Sequence, residues 1–169
     1  MVLLETTRLK LCYMGTEDAP FMLNLLNTPA YYKYIGDRNV RDIADAENYI
    51  LNGPVKSYEK NGFGYYVVKL KHDESPVGIC GLVKREALEN VDIGFAFLPE
   101  HEGKGFGFES ASALMHWANQ KRGLKKIVGI TLENNLPSIR LLEKMGLTFD
   151  KKIMMEEEEL LLYAKTFAD

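Results

Sequence analysis

Val91-Asp92-Ile93-Gly94-Phe95-Ala96-Phe97-Leu98 is an apolar, strand-like run that ends at Pro99, and shortly after it the chain reads Gly103-Lys104-Gly105-Phe106-Gly107. A helical pattern follows, with Phe108, Ala111, Met115 and Ala118 at i, i+3, i+7 and i+10, closed by Gly123. Strand, glycines and helix start together aim several free backbone N–H groups and the positive end of a helix dipole at one point, which suits a phosphate. Glycine also lets the backbone approach a ligand closely.

Several readings of this loop compete. A Walker loop needs Ser or Thr directly after the Gly-Lys pair, and Lys104 is followed by Gly105, so a magnesium ligand is missing. A dinucleotide fingerprint is approached by Gly105-x-Gly107-x-x-Ser110, but about 20 residues on, Lys125-Lys126-Ile127 offers no acid for a ribose diol. A tight turn that binds nothing also accounts for the glycines. On these residues alone, phosphate binding and a bare turn stay open.

Working outward, Leu9, Leu11 and Tyr13 alternate with Lys10 and Cys12 as a first strand. Thr16-Glu17-Asp18 starts a helix that Asn27-Thr28-Pro29 stops, and a second helix runs from about Asp42 to a stop at Asn52-Gly53-Pro54. Phe63 to Leu70 and Val77 to Val83 form an antiparallel hairpin. Beyond the central helix come a strand from Lys126 to Leu132, a short helix from Pro137 to Met145, and a final hairpin around the acidic run Glu156 to Glu159. There is no internal repeat, low-complexity tract or linker. The sequence therefore predicts one α/β domain over residues 1–169 with a mixed sheet, in the order β-α-α-β-β-β-α-β-α-β-β.

Composition excludes several classes of function. A chain of 169 residues removes roughly 70% of its unfolded surface from water, enough for a core without disulfides or metals. With 24 acids against 21 Lys and Arg, the net charge of −3 argues against nucleic acid as a partner. No apolar run approaches a membrane span, and Glu5, Arg8 and Lys10 stand where a secretory signal would be apolar, so the chain reads as cytoplasmic. Cys12 and Cys80 lie in apolar runs as buried thiols, and His72, His101 and His116 lack metal-ligand spacing. No nucleophile elbow or Cys–His pairing is present, so transfer chemistry would be direct.

A second constellation lies about 30 residues past the loop: Asn135-x-x-Ser138 and Glu143-Lys144-Met145-Gly146. By itself it reads as a helix capped by Asn135, with Pro137 in its first turn and Gly146 at its end. Combined with Gly103-Lys104-Gly105-Phe106-Gly107, it closely resembles the GNAT superfamily of acetyl-coenzyme A dependent N-acyltransferases. Glu5-Thr6-Thr7-Arg8-Leu9-Lys10-Leu11 and Asp92-Ile93-Gly94-Phe95 resemble the opening and fourth strands of the branch that includes the ribosomal-protein alanine N-acetyltransferases. The resemblance implies the GNAT fold with a splayed central sheet, acetyl-CoA as cosubstrate, and an amine acceptor. Glu102 departs from it, since many members carry Gln or Arg there; its side chain is expected to point to solvent.

The resemblance also assigns roles. Backbone groups of Phe97 and Leu98 would bind the pantetheine arm, and amides from Gly103 to Gly107, including Phe106, would hold the pyrophosphate, with Lys104 as a charged helper. Asn135 would bond the pantetheine amide. Ser138 would sit near the leaving sulfur, in a helix that lacks the Tyr of many relatives. Asp92 is the candidate base, acting through water, ahead of Glu86 and Glu89. The acceptor pocket would draw on Tyr31, Tyr32, Tyr34, Arg38, Arg41 and Glu156 to Glu159. The glutamates would attract a cationic amine, whereas Arg38 and Arg41 would hold a carboxylate or peptide oxygens. The first acceptor reading is a protein N-terminal α-amine. The alternatives are a small amine (polyamine, amino acid or antibiotic) and a non-catalytic acyl-CoA sensor. Homodimers are common among such proteins, but no stripe here marks an interface.

Overall fold

The computed structural model describes residues 1–168. Along the chain run β1 (Val2–Glu5), β2 (Leu9–Tyr13), α1 (Ala19–Leu26), α2 (Pro29–Tyr34), α3 (Ile43–Ile50), α4 (Lys56–Asn61), β3 (Tyr65–Leu70), β4 (Pro76–Val83), β5 (Val91–Phe97), α5 (Phe106–Arg122), β6 (Lys126–Thr131), α6 (Leu136–Lys144), β7 (Thr148–Met155) and β8 (Glu158–Thr166). The strands form one sheet in the order β1-β2-β3-β4-β5-β6-β8-β7. Every neighbouring pair is antiparallel except β5 and β6, which α5 joins as a parallel crossover.

Period-two patterning puts helices on both faces. Leu9, Leu11, Tyr66, Val68, Cys80 and Leu82 bury one face against Ala111, Leu114, Met115 and Ala118 of α5. The alternate residues Val67 and Ile79 meet Met22, Leu25, Ala46 and Ile50 of α1 and α3 on the other. Burying such large side chains contributes about 1.5–3 kcal/mol each. That packing holds the axis of α5, and with it the glycine loop at its N-terminus, against β5 and β4. Both cysteines are buried free thiols, and burial pushes the Cys80 thiol up to about 12.

Three local expectations are corrected. The opening segment is a hairpin rather than one strand: the Thr6 N–H donates to the Leu9 carbonyl at 2.9 Å, and the Leu9 N–H donates to Thr6 Oγ1 at 3.1 Å. Pro29 does not simply end a helix but begins α2, at a first-turn position where its missing N–H is harmless and Thr28 caps the new helix. Asn52-Gly53-Pro54 is no stop at all, because residues Leu51–Val55 widen into a π turn that accommodates the proline ring and delivers the chain into α4. The helix ends instead at Gly62, in the left-handed conformation.

The feature that matters for function is a seam. β5 and β6 pair only at Val91–Ile127 and Asp92–Val128, and beyond Asp92 they diverge. The splayed central sheet expected from the resemblance is therefore present.

Candidate active site

The Leu98 N–H donates to the Val77 carbonyl at 3.0 Å, which fixes the alternation of the β4–β5 ladder. Leu98, Ala96 and Gly94 direct their backbone polar groups toward β4, so those of Phe97 and Phe95 face the open seam. Phe97 thus stands where it was expected. Leu98 does not: its N–H is engaged and its side chain is buried under the α1–α3 layer, so Phe95 is the second residue offering backbone groups.

The glycine loop turns through left-handed conformations at Gly103 (φ 74°) and Gly105 (φ 83°), which only glycine adopts without strain. The ladder of α5 opens with the Glu109 N–H on the Gly105 carbonyl at 3.0 Å, so the amides of Phe106, Gly107 and Phe108 have no partner within the helix. Sequence reasoning missed what holds this loop still. Arg8, in the turn between β1 and β2, donates from a terminal nitrogen to the Lys104 carbonyl at 3.0 Å and stacks 4.6 Å from the Phe106 ring centroid. Its Nε meets Glu109 at 2.7 Å, and Glu109 also accepts from the Arg8 N–H at 2.8 Å and from Thr6 Oγ1 at 2.5 Å. Partial burial opposes ionisation of Glu109, but these hydrogen bonds outweigh it and hold the carboxyl below its usual range. The clue lay in Thr6-Thr7-Arg8, read from sequence only as strand.

At the far side of the seam, Asn135 Oδ1 accepts the Ser138 N–H at 3.3 Å and caps α6. The cap fixes which way the amide faces, because only the oxygen can accept from that N–H, and it leaves Nδ2 as a donor. A cavity of about 1160 Å³ runs along the seam. It brings together Asp92, Phe97, Gly103, Gly105, Phe106, Gly107, Asn135 and Ser138. Lys104 and Leu98 are not in its lining, and Lys104 is exposed. Glu102 is exposed at the cavity's edge, as expected. Replacing it with Gln should leave the dissociation constant for acetyl-CoA within about threefold, less than 1 kcal/mol. A hundredfold gain in a calorimetric titration would show that this carboxylate opposes the phosphates.

Asp92 sits where β5 parts from β6, 2% exposed, with Oδ2 accepting from Arg85 Nε at 2.7 Å. Burial pushes its carboxyl up to about 6, against the pull of the Arg85 guanidinium. Tyr65 comes so close to β5 that a side-chain carbon on Gly94 would collide with its hydroxyl. Tyr31, Tyr34 and Arg38 line the same cavity, as do Glu156 and Glu158, whereas Tyr32 and Arg41 lie outside its lining. Arg41 is ion-paired with Asp37 at 2.5 Å. Arg85, Tyr49 and Tyr65 complete this end, and sequence reasoning had not assigned them.

A seam with unpaired strand amides, a glycine cradle at one helix start and a capped second helix define a coenzyme A-dependent acyltransferase, and the comparisons agree. The family described as Acetyltransferase (GNAT) domain matches residues 8–148, and the chain belongs to it. YjdG of Bacillus subtilis strain 168, an uncharacterised N-acetyltransferase, is 30% identical over 161 residues, which cover 90% of this chain and 93% of YjdG. Among solved structures, an acetyltransferase from Agrobacterium tumefaciens strain C58 superposes with a TM-score of 0.83 at 22% identity, over 97% of this chain and 94% of that one. RimL, a ribosomal L7/L12 alpha-N-protein acetyltransferase in complex with coenzyme A, superposes with a TM-score of 0.84 at 14% identity, over 98% of both chains. The protein is an acetyl-CoA-dependent acyltransferase, and the sensor reading is set aside. No helix among the described residues is long and apolar enough to cross a membrane.

Proposed function

We propose that the enzyme moves the acetyl group directly from acetyl-CoA to the α-amine of a protein or peptide N-terminus. Acetyl-CoA supplies an activated thioester; the amine nitrogen bonds to its carbonyl carbon, the C–S bond breaks, the sulfur leaves as thiolate and the amine loses a proton. Phe95 and Phe97 would bind the pantetheine arm as an added strand, and amides from Gly103 to Phe108 would receive the pyrophosphate at the dipole end of α5. Asn135 Nδ2 would donate to a pantetheine carbonyl. Ser138, in the same cavity, would donate to the departing sulfur, and Asp92 would take the proton from the amine through water. RimL, which shares this fold, is named for acting on an α-N position.

The observation that carries the choice of acceptor is Asp92 itself. A buried carboxyl near 6, held by Arg85, is a weak base. It suits an α-ammonium with pKa about 8, already roughly a tenth neutral at pH 7, better than a lysine near 10.4. Incubation with acetyl-CoA, a library of peptides containing internal lysines, and a panel of amines, read by mass, tests this. Acetyl should appear on N-terminal nitrogens, and preferential acetylation of lysine side chains or polyamines would contradict the choice.

A thiol with pKa near 8.5 leaves readily without strong acid help. Ser138→Ala is therefore expected to lower kcat only about tenfold, the size of one ordinary hydrogen bond. Single-turnover rates would measure it, and a thousandfold loss would make the hydroxyl an obligatory proton donor.

A further inference from the structure

Around Asp92 the cavity sets two guanidinium groups, Arg38 and Arg85, against one buried carboxylate. Arg85 and Asp92 neutralise each other, and Arg85 uses only Nε for that contact. Arg38 makes no ion pair among the described residues. It is exposed on the cavity wall, which Tyr31, Tyr49 and Arg85 also line, and its charge opposes that of Arg85. Two guanidinium groups and two phenols thus line the same cavity as this carboxylate. Glu156 and Glu158 line the cavity from the β7–β8 turn, but neither is among the groups acting most strongly on Arg38 or Arg85. Arg38, Tyr49 and Tyr65 also line a second cavity of about 570 Å³.

Like-charged guanidiniums held near one another on a concave wall are relieved by an oxyanion, which an Arg fork accepts with two parallel hydrogen bonds. Arg41, the other arginine of this segment, is already committed to Asp37, so the unpaired cation is Arg38. We infer that the acceptor carries an anionic group, a carboxylate or phosphate a few bonds from its amine, and that Arg38 together with the free donors of Arg85 binds it. This rests on the α-amine reading above and narrows it to an acidic acceptor. Arg38 is then a specificity-determining residue with no part in the transfer step.

Matched acceptor pairs test the inference with the intact protein and acetyl-CoA. Alanyl-glutamyl-alanine amide against alanyl-glutaminyl-alanine amide places the charge on a peptide side chain. Alanyl-alanine against its amide places it on a terminal carboxylate, and O-phosphoseryl amide against seryl amide places it on a phosphate. In at least one pair kcat/KM should favour the anion by about tenfold or more, chiefly through KM. The pair that responds identifies the source of the anion, as an acidic peptide or a small acidic amine. Arg38→Gln should bring that ratio to within about twofold of unity, and Arg38→Glu should invert it. Ratios near unity in every pair for the wild-type enzyme, or a ratio unmoved by Arg38→Gln, overturn the anion site while leaving acetyl transfer standing. Failure to acetylate any member of any pair, with acetyl-CoA bound, overturns the α-amine reading and this inference with it.

Discussion

Gly105→Val is expected to raise the dissociation constant for acetyl-CoA by about a hundredfold or more, equivalent to about 2.8 kcal/mol. Gly105 has a φ of 83°, where a β-branched residue is a genuine outlier, and its neighbour in the loop, Gly103, is also left-handed. A new side chain would also approach within 3.3 Å of the Arg8 guanidinium that pins the loop. Valine therefore forces the loop onto another path, and the amides of Phe106, Gly107 and Phe108 no longer converge. Stability should respond far less, because the loop lies at the surface and left-handed strain costs about 1–2 kcal/mol. For a chain of this size that is a fall of only a few degrees in Tm. Calorimetric titration together with a thermal melt separates the two. Affinity within about threefold of wild type, with the fold intact, would mean that these amides do not hold the phosphates.

Asp92→Asn should lower kcat by about a hundredfold at pH 7, the lower end of what a positioned general base contributes. The wild-type rate should rise with pH through about 6, where Asp92 ionises, and the variant should lack that limb while the titration of the amine persists. Stability supplies an independent readout with a definite sign. The folded-state value of about 6 lies above the ordinary 3.8, so the native state holds this proton more tightly than the unfolded chain does. The contribution to stability is full below about pH 4 and is lost as pH rises to about 6. In urea unfolding, the difference between wild type and variant should change across that window and stay flat above it. Turnover within about threefold of wild type and an unchanged pH profile would reduce Asp92 to the counterion of Arg85.

The coenzyme half of the site was legible because its signals are local. Glycines at left-handed positions, an apolar strand before them and an asparagine that caps a helix each act within a few residues of chain. The acceptor half was not, because its contacts depend on register. Val83 pairs with Asp92 across β4 and β5, and that pairing brings Arg85, just beyond the strand, onto the Asp92 carboxylate. Nothing in the spacing of the two residues announces it. Arg38 and Arg41 looked equivalent in sequence, yet an ion pair with Asp37, four residues back along an irregular loop, removes Arg41 and leaves Arg38 at the cavity. Pro54 misled for a related reason: a proline stops a helix of ordinary pitch, and here buried packing supports a wider turn. The last hairpin was found despite unusual turn chemistry, since Glu156 and Glu157 both take positive φ where Asn-Gly is the usual choice.

Amide hydrogen exchange with and without saturating acetyl-CoA tests the central claim most directly. Slowed exchange is expected at Phe95 and Phe97 along the seam and across the amides of Gly103 to Phe108, with little change in β1, β2 and α4. Saturable binding that leaves those amides as fast as in the free protein would contradict the claim.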